Sequence, residues 1–146
     1  MKYFVSMCLA GVCCRYDGKA NKNDAVIKLV QQGDAVMACP EQLGGLSTPR
    51  LPSEIVNTNT TRHVINSAGE NLDVRFMLGA QQALNIAKMF GSEAAILKSH
   101  SPSCGAGRIY DGTFTGKLID GNGITAQLFI DNGIKVYTQD DFESEL

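Results

Sequence analysis

Residues 71–97, from Asn71 to Leu97, read NLDVRFMLGAQQALNIAKMFGSEAAIL. Val74, Leu78, Ala80, Leu84, Ile86, Ala87 and Phe90 recur at helical spacing, Gly91 follows as a terminator, and Ala94–Leu97 is a short, wholly apolar run. A helix from about Asn71 to Phe90 that feeds a buried strand is half of a βαβ unit, which implies a parallel sheet. The same alternation continues on both sides. Towards the amino terminus, Tyr3–Val5 and Ala35–Ala38 are strand-like runs. Between them, Asp24–Gln32 can form a short helix through Ala25, Ile27, Leu29 and Val30, closed by Gly33. Towards the carboxyl terminus, Gly123–Asp131 reads as a helix and Ile134–Tyr137 as the last strand. The expected fold is therefore α/β, a three-layer, mostly parallel, Rossmann-like open sheet. The 146 residues suit one domain, 1–146, with the acidic stretch 139–146 as a surface tail.

Three longer segments carry no clear period. Gly11 to Asn23 is a loop, and Pro40 to Arg62, with three prolines and adjacent glycines, reads as an ordered loop with an irregular hairpin around Ile55 and Val64. Lys98–Gly116 reads as a polar, glycine-rich loop. Tyr-Asp-Gly occurs at Tyr16–Gly18 and again at Tyr110–Gly112, so two similar turns are expected beside the same crevice.

The formal net charge is −2, from 13 Lys and Arg against 15 Asp and Glu, so the chain lacks the overall basic excess that grips a phosphate backbone. A small ligand is favoured over nucleic acid. No apolar stretch has the length of a membrane span, and Met1–Val5 lacks the long apolar core of a secretory signal, which points to the cytoplasm. Five cysteines in a reducing compartment read as thiols, metal ligands or catalytic groups rather than disulfides.

Cys8, Cys39 and Cys104 each lie beyond one of the apolar runs. Carboxyl ends of parallel strands open onto one crevice, where such folds bind their ligands. Three thiolates meeting there, without a fourth, would suit a metal or cluster that keeps an open coordination position. The chain has no Cys-x-x-Cys pair, and His63 and His100 lack metal-pair spacing, which disfavours a closed zinc site. Spacing alone leaves an equal alternative, in which all three are ordinary buried thiols.

The words around these cysteines narrow the choice. Ser6-Met7-Cys8-Leu9-Ala10-Gly11 with Cys14-Arg15-Tyr16-Asp17-Gly18, Cys39-Pro40-Glu41-Gln42-Leu43-Gly44-Gly45-Leu46 with Thr48-Pro49-Arg50, and Ser101-Pro102-Ser103-Cys104-Gly105 with Tyr110-Asp111-Gly112-Thr113-Phe114 resemble the thiouracil desulfurase (TudS-like) family. The likeness extends to Gly121–Ala126. It implies a [4Fe-4S] cluster held by Cys8, Cys39 and Cys104, with one iron free to take sulfur from a thiolated pyrimidine that becomes the oxo base. Cys14, also in a family word, is the rival for one ligand place, and Cys13 looks like a local addition.

That chemistry needs water to attack the ring carbon. Glu41, two residues after Cys39, is placed to deprotonate it, and Ser101, in preference to Ser103, to bind the ring edge or relay a proton. Their structural alternatives are a surface or capping carboxylate and turn serines. Arg15, Asp17 and Asp111 read as ion-pair or turn residues. Two other readings of the chain stand beside the desulfurase: a metal-free enzyme with a cysteine nucleophile, and a metal-binding module.

Overall fold

A computed structural model describes residues 1–145. Its centre is a four-stranded parallel sheet of β1 (Tyr3–Ser6), β2 (Ala35–Ala38), β5 (Ala94–Leu97) and β8 (Lys135–Thr138), in the order β2-β1-β5-β8. Tyr3 stands opposite both Ala35 and Ala94, and Ala94 opposite Lys135. Both faces are covered, as parallel sheets require. Phe4, Ala95 and Leu97 point to one side, where they pack with α3 (Asp73–Phe90) and α4 (Ile124–Asp131), and Phe4 meets Phe129 edge-on at 5.0 Å. Tyr3, Val5, Ala94 and Ile96 point to the other, against α1 (Asp24–Gln31). The expected three-layer α/β architecture is the one observed.

Two antiparallel hairpins lie outside this sheet. β3 (Ser53–Asn57) pairs with β4 (Arg62–Asn66), with Ile55 opposite Val64, a regular ladder where the sequence predicts an irregular one. β6 (Arg108–Tyr110) pairs with β7 (Leu118–Asp120), so the expected loop 98–116 contains a strand. Three-residue strands are too short to show a period.

The tail also differs from expectation. Leu146 lies outside the described residues, but Phe142 opens a short 3-10 turn and is only 1% exposed, packed in the layer that holds Tyr3 and Val5. One aromatic among polar neighbours gives no periodic signal, yet its burial ties the segment to the core.

The long helix turns inward only part of the predicted stripe, Ala80, Leu84 and Ala87, with Ile86 packed against the same core. α3 buries Phe76, Gly79, Ala80, Ala83, Leu84 and Ala87, whereas Val74 is 81% and Leu78 49% exposed. The cause is close packing by α2 (Pro40–Leu43), a single helical turn that crosses α3 at Gly79. A methyl group on Gly79 would overlap the Pro40 carbonyl, so small residues, not large ones, form the contact. Gly79→Ala is accordingly expected to cost about 1–3 kcal/mol by overpacking, read as a lower melting temperature. Because α2 begins one residue after Cys39, the strain would reach the crevice described next.

Candidate active site

The crevice is made where β1, β2 and β5 end side by side. After Ser6 the chain enters a 3-10 turn, Met7–Ala10, which buries Cys8 and is closed by Gly11 at a φ of 94°. Cys39 directly follows β2 and caps α2, whose first residue, Pro40, has no N–H to leave unpaired. Beyond β5, the Ser101 hydroxyl accepts from the backbone N–H of Cys104 at 2.6 Å and of Ser103 at 3.2 Å. The resulting turn tucks Cys104 into the interior, 6% exposed. The first turn of α4 grips the same segment, since Ile124 N–H donates to the Pro102 carbonyl and Thr125 N–H to that of Ser103.

Cys8, Cys14, Cys39 and Cys104 all line one cavity of about 380 Å³, together with Glu41 and Ser101. Cys14 is 2% exposed, its thiol interacts with those of Cys8 and Cys39, and the Cys39 thiol donates to the Cys14 carbonyl at 3.8 Å. Cys13 points outward, and all five cysteines are unpaired. The two histidines stand away from this lining. His63 Nδ1 bonds Asp73 at 2.6 Å, and His100 packs edge-on against Tyr110.

Burial pushes the Cys104 thiol up to about 12. At Cys14 the hydrogen bond with Cys39 favours the thiolate, but the bond to Cys8 and burial outweigh it and push the thiol up to about 11. Cys39 is raised as well, first by its bond with Cys14 and then by burial. These are thiols that ionise when a cation replaces the proton.

Glu41 is half-hidden, its side chain 17% exposed, and bonds the Arg50 guanidinium, itself 8% exposed, at 3.1 Å. Burial raises the Glu41 carboxyl above the usual carboxylate range, against the opposing pull of Arg50. Arg50 does more than pair a charge. Its Nη2 donates to the Cys14 carbonyl at 2.9 Å, its Nη1 to Thr48 Oγ1 and to the Ser47 carbonyl, and its backbone N–H to the Tyr16 carbonyl. A planar five-donor fork can tie several acceptors at once. One side chain thus fixes the carboxylate and the loop that carries Cys14.

Arg50 and Lys98 are among the lining residues to which sequence reasoning assigns no role. Arg50 lies inside a quoted family word, but its link to Glu41 spans an aperiodic loop. Lys98 follows β5 and donates from Nζ to the Ser99 carbonyl at 3.0 Å, and burial pulls its ammonium below the ordinary lysine range. Ser101 faces the cavity although its oxygen is engaged by two backbone N–H groups, which leaves its proton free to donate. Ser103 is 1% exposed and shares a 2.8 Å hydrogen bond with Thr125, a structural position. Arg15 and Asp17 form an ion pair at 3.4 Å, and Asp17 and Asp111 each accept the backbone N–H two residues on, so the twin turns are alike. Tyr16 and Tyr110 both reach the cavity.

Among the described residues, no three of His, Cys, Asp and Glu stand close enough to share a single metal ion. A polynuclear group differs, because each thiolate takes its own iron and the donors must be spread. Soft sulfur donors around one cavity, without a pre-formed disulfide, fit an iron–sulfur cluster in kind.

Residues 4–141 match the 2-thiouracil desulfurase family. The chain is 44% identical to the uncharacterised protein YbbK of Bacillus subtilis (strain 168) over 148 aligned positions, covering 97% of this chain and 98% of that one. It is also similar to the solved structure of a [4Fe-4S]-dependent thiouracil desulfidase, TudS, with a TM-score of 0.89 and 39% identity over 98% of this chain and 93% of that one.

Proposed function

The chain belongs to the 2-thiouracil desulfurase family, and from that premise we propose that it is a [4Fe-4S]-dependent desulfurase that converts 2-thiouracil or a related thiolated pyrimidine to the oxo base. The observation that carries this reading is the gathering of four thiols, three of them buried, and a partly buried carboxylate around one cavity at the carboxyl edge of the sheet. Cys8, Cys39 and Cys104, one beyond each of three adjacent strands, would hold the cluster. When bound, the cluster supplies a thiophilic iron without a protein donor, which polarises the carbon–sulfur bond.

The chain's own groups do the rest. Glu41 takes a proton from the attacking water, and Arg50 holds the carboxylate in the orientation that does so. Ser101, its oxygen anchored by two N–H donors, offers its proton to the ring edge. Ring C=S and water become C=O and hydrogen sulfide, with no net oxidation or reduction. The partner is a small thiolated base, not nucleic acid. Five unpaired thiols fit the reducing cytoplasm, and no helix among the described residues is long and apolar enough to cross a membrane.

A metal-free cysteine nucleophile fits less well, since it needs a lowered thiol pKa and these thiols are raised. Protein purified without oxygen is expected to be brown, to contain iron and acid-labile sulfide, and to release sulfide from 2-thiouracil. Full activity after removal of all iron would end the reading. In the same assay Cys13→Ala should keep its iron and rate. Cys8→Ala should lose the cluster and Cys14→Ala should retain it, and the reverse result would move the third ligand to Cys14.

A further inference from the structure

The hairpin of β6 and β7 carries at its tip an aromatic side chain that the core does not account for. Phe114 belongs to none of the buried clusters, is 38% exposed and lines the cavity. Its backbone has a φ of 59°, the left-handed region that costs a residue with a Cβ roughly 1–2 kcal/mol. A bulky apolar residue gains nothing for folding from such a position. Residues kept in costly conformations cluster where a ligand is clamped.

The tip is held there from below. Glu54, on β3 and 8% exposed, has no ion-pair partner among the described residues. One of its carboxylate oxygens accepts from the backbone N–H of Gly112 at 2.9 Å and of Phe114 at 3.1 Å. Burying a carboxylate is costly unless strong hydrogen bonds compensate it, and these two charge-assisted bonds do so. Gly112, at a φ of 92°, lies flush on the neighbouring strand, where an added Cβ would come within 2.8 Å of the Ile55 carbonyl oxygen. Within the tip, Asp111 Oδ1 accepts from Thr113 N–H and its hydroxyl. The loop is therefore fixed at a set height over the crevice.

We propose that Phe114 is the face on which the pyrimidine ring stacks, and that Glu54 is the positioning residue that sets its height. This rests on the desulfurase reading of the same cavity and assigns ring recognition to the hairpin, apart from the sulfur chemistry at the thiols. Aromatic stacking accepts any flat base and is worth about tenfold or more in affinity. Phe114→Leu, which keeps apolar bulk but not a flat face, should raise KM for 2-thiouracil about tenfold with kcat within about twofold. The inhibition constant for uracil should rise by the same factor, because stacking does not involve sulfur. Phe114→Trp should stay near the parent. Glu54→Ala should reproduce the KM effect, and Glu54→Gln, which keeps an oxygen acceptor, should recover most of it. Iron content and melting temperature, measured on each holoprotein, show whether a variant is folded and loaded. Unchanged KM and uracil inhibition in loaded Phe114→Leu would overturn the proposal while leaving the desulfurase reading intact. A loaded parent protein that leaves 2-thiouracil untouched would overturn both.

Discussion

Cys39→Ala and Cys104→Ala, each prepared without oxygen, are expected to be colourless, with iron, acid-labile sulfide and sulfide release from 2-thiouracil all at background. The effect should be near complete because a cluster bound by few protein donors cannot spare one. A spectator role would leave colour and rate in place, and that result would remove the residue from the ligand set. The fold should survive the loss, since the sheet is closed by Phe4, Leu97, Phe129, Val5, Ile96 and Phe142, none of which is a donor. Cys39→Ser sharpens the test. It changes volume little and replaces soft sulfur with hard oxygen, so iron loss there reports donor chemistry rather than packing. An unchanged far-UV spectrum beside lost iron is the expected pair of observations.

Glu41→Ala should separate assembly from turnover. Its carboxylate contacts Arg50, not a thiol, so the brown colour and iron content are expected to stay at parental levels. The rate should fall by roughly 10²- to 10⁴-fold, the contribution of a positioned general base. Glu41→Gln should fall similarly while keeping the hydrogen bond to Arg50, which distinguishes a lost base from a disturbed loop. The pH dependence has a definite sign. Burial raises the Glu41 pKa, and the base must be ionised to act. The parental kcat/KM should therefore drop as pH falls through that raised value, and the residual rate of Glu41→Gln should show no such drop. Turnover at the full rate in either variant would discard the role.

The parallel sheet is readable because its strands and helices carry strong periodic signals. Ala94–Leu97 is apolar throughout and is bounded by Gly91 and by polar residues, so strand type and position follow directly. The placement of Cys8, Cys39 and Cys104 at one edge follows from the same runs plus the geometry of parallel strands. Other parts depend on contacts that no local pattern records. The face of α3 is set by Gly79 against Pro40, where smallness matters more than hydrophobicity. Arg50 reaches Glu41 and Cys14 across an aperiodic loop, and a single polar residue in such a loop looks like any other. The β6–β7 hairpin is held by Glu54 from a distant strand. Phe142 is hidden by its acidic neighbours in the sequence and by the core in space.

The guanidinium that ties Glu41 to the Cys14 carbonyl has a consequence for redesign. Carboxylate and sulfur-bearing loop share one anchor, so the reach of the first cannot be retuned without dragging the second. A bench chemist seeking to admit a bulkier heterocycle would do better to remodel the overhanging hairpin, whose seven connecting residues 111–117 touch none of those couplings. Breadth of scope and reactive power would then be adjustable by separate dials.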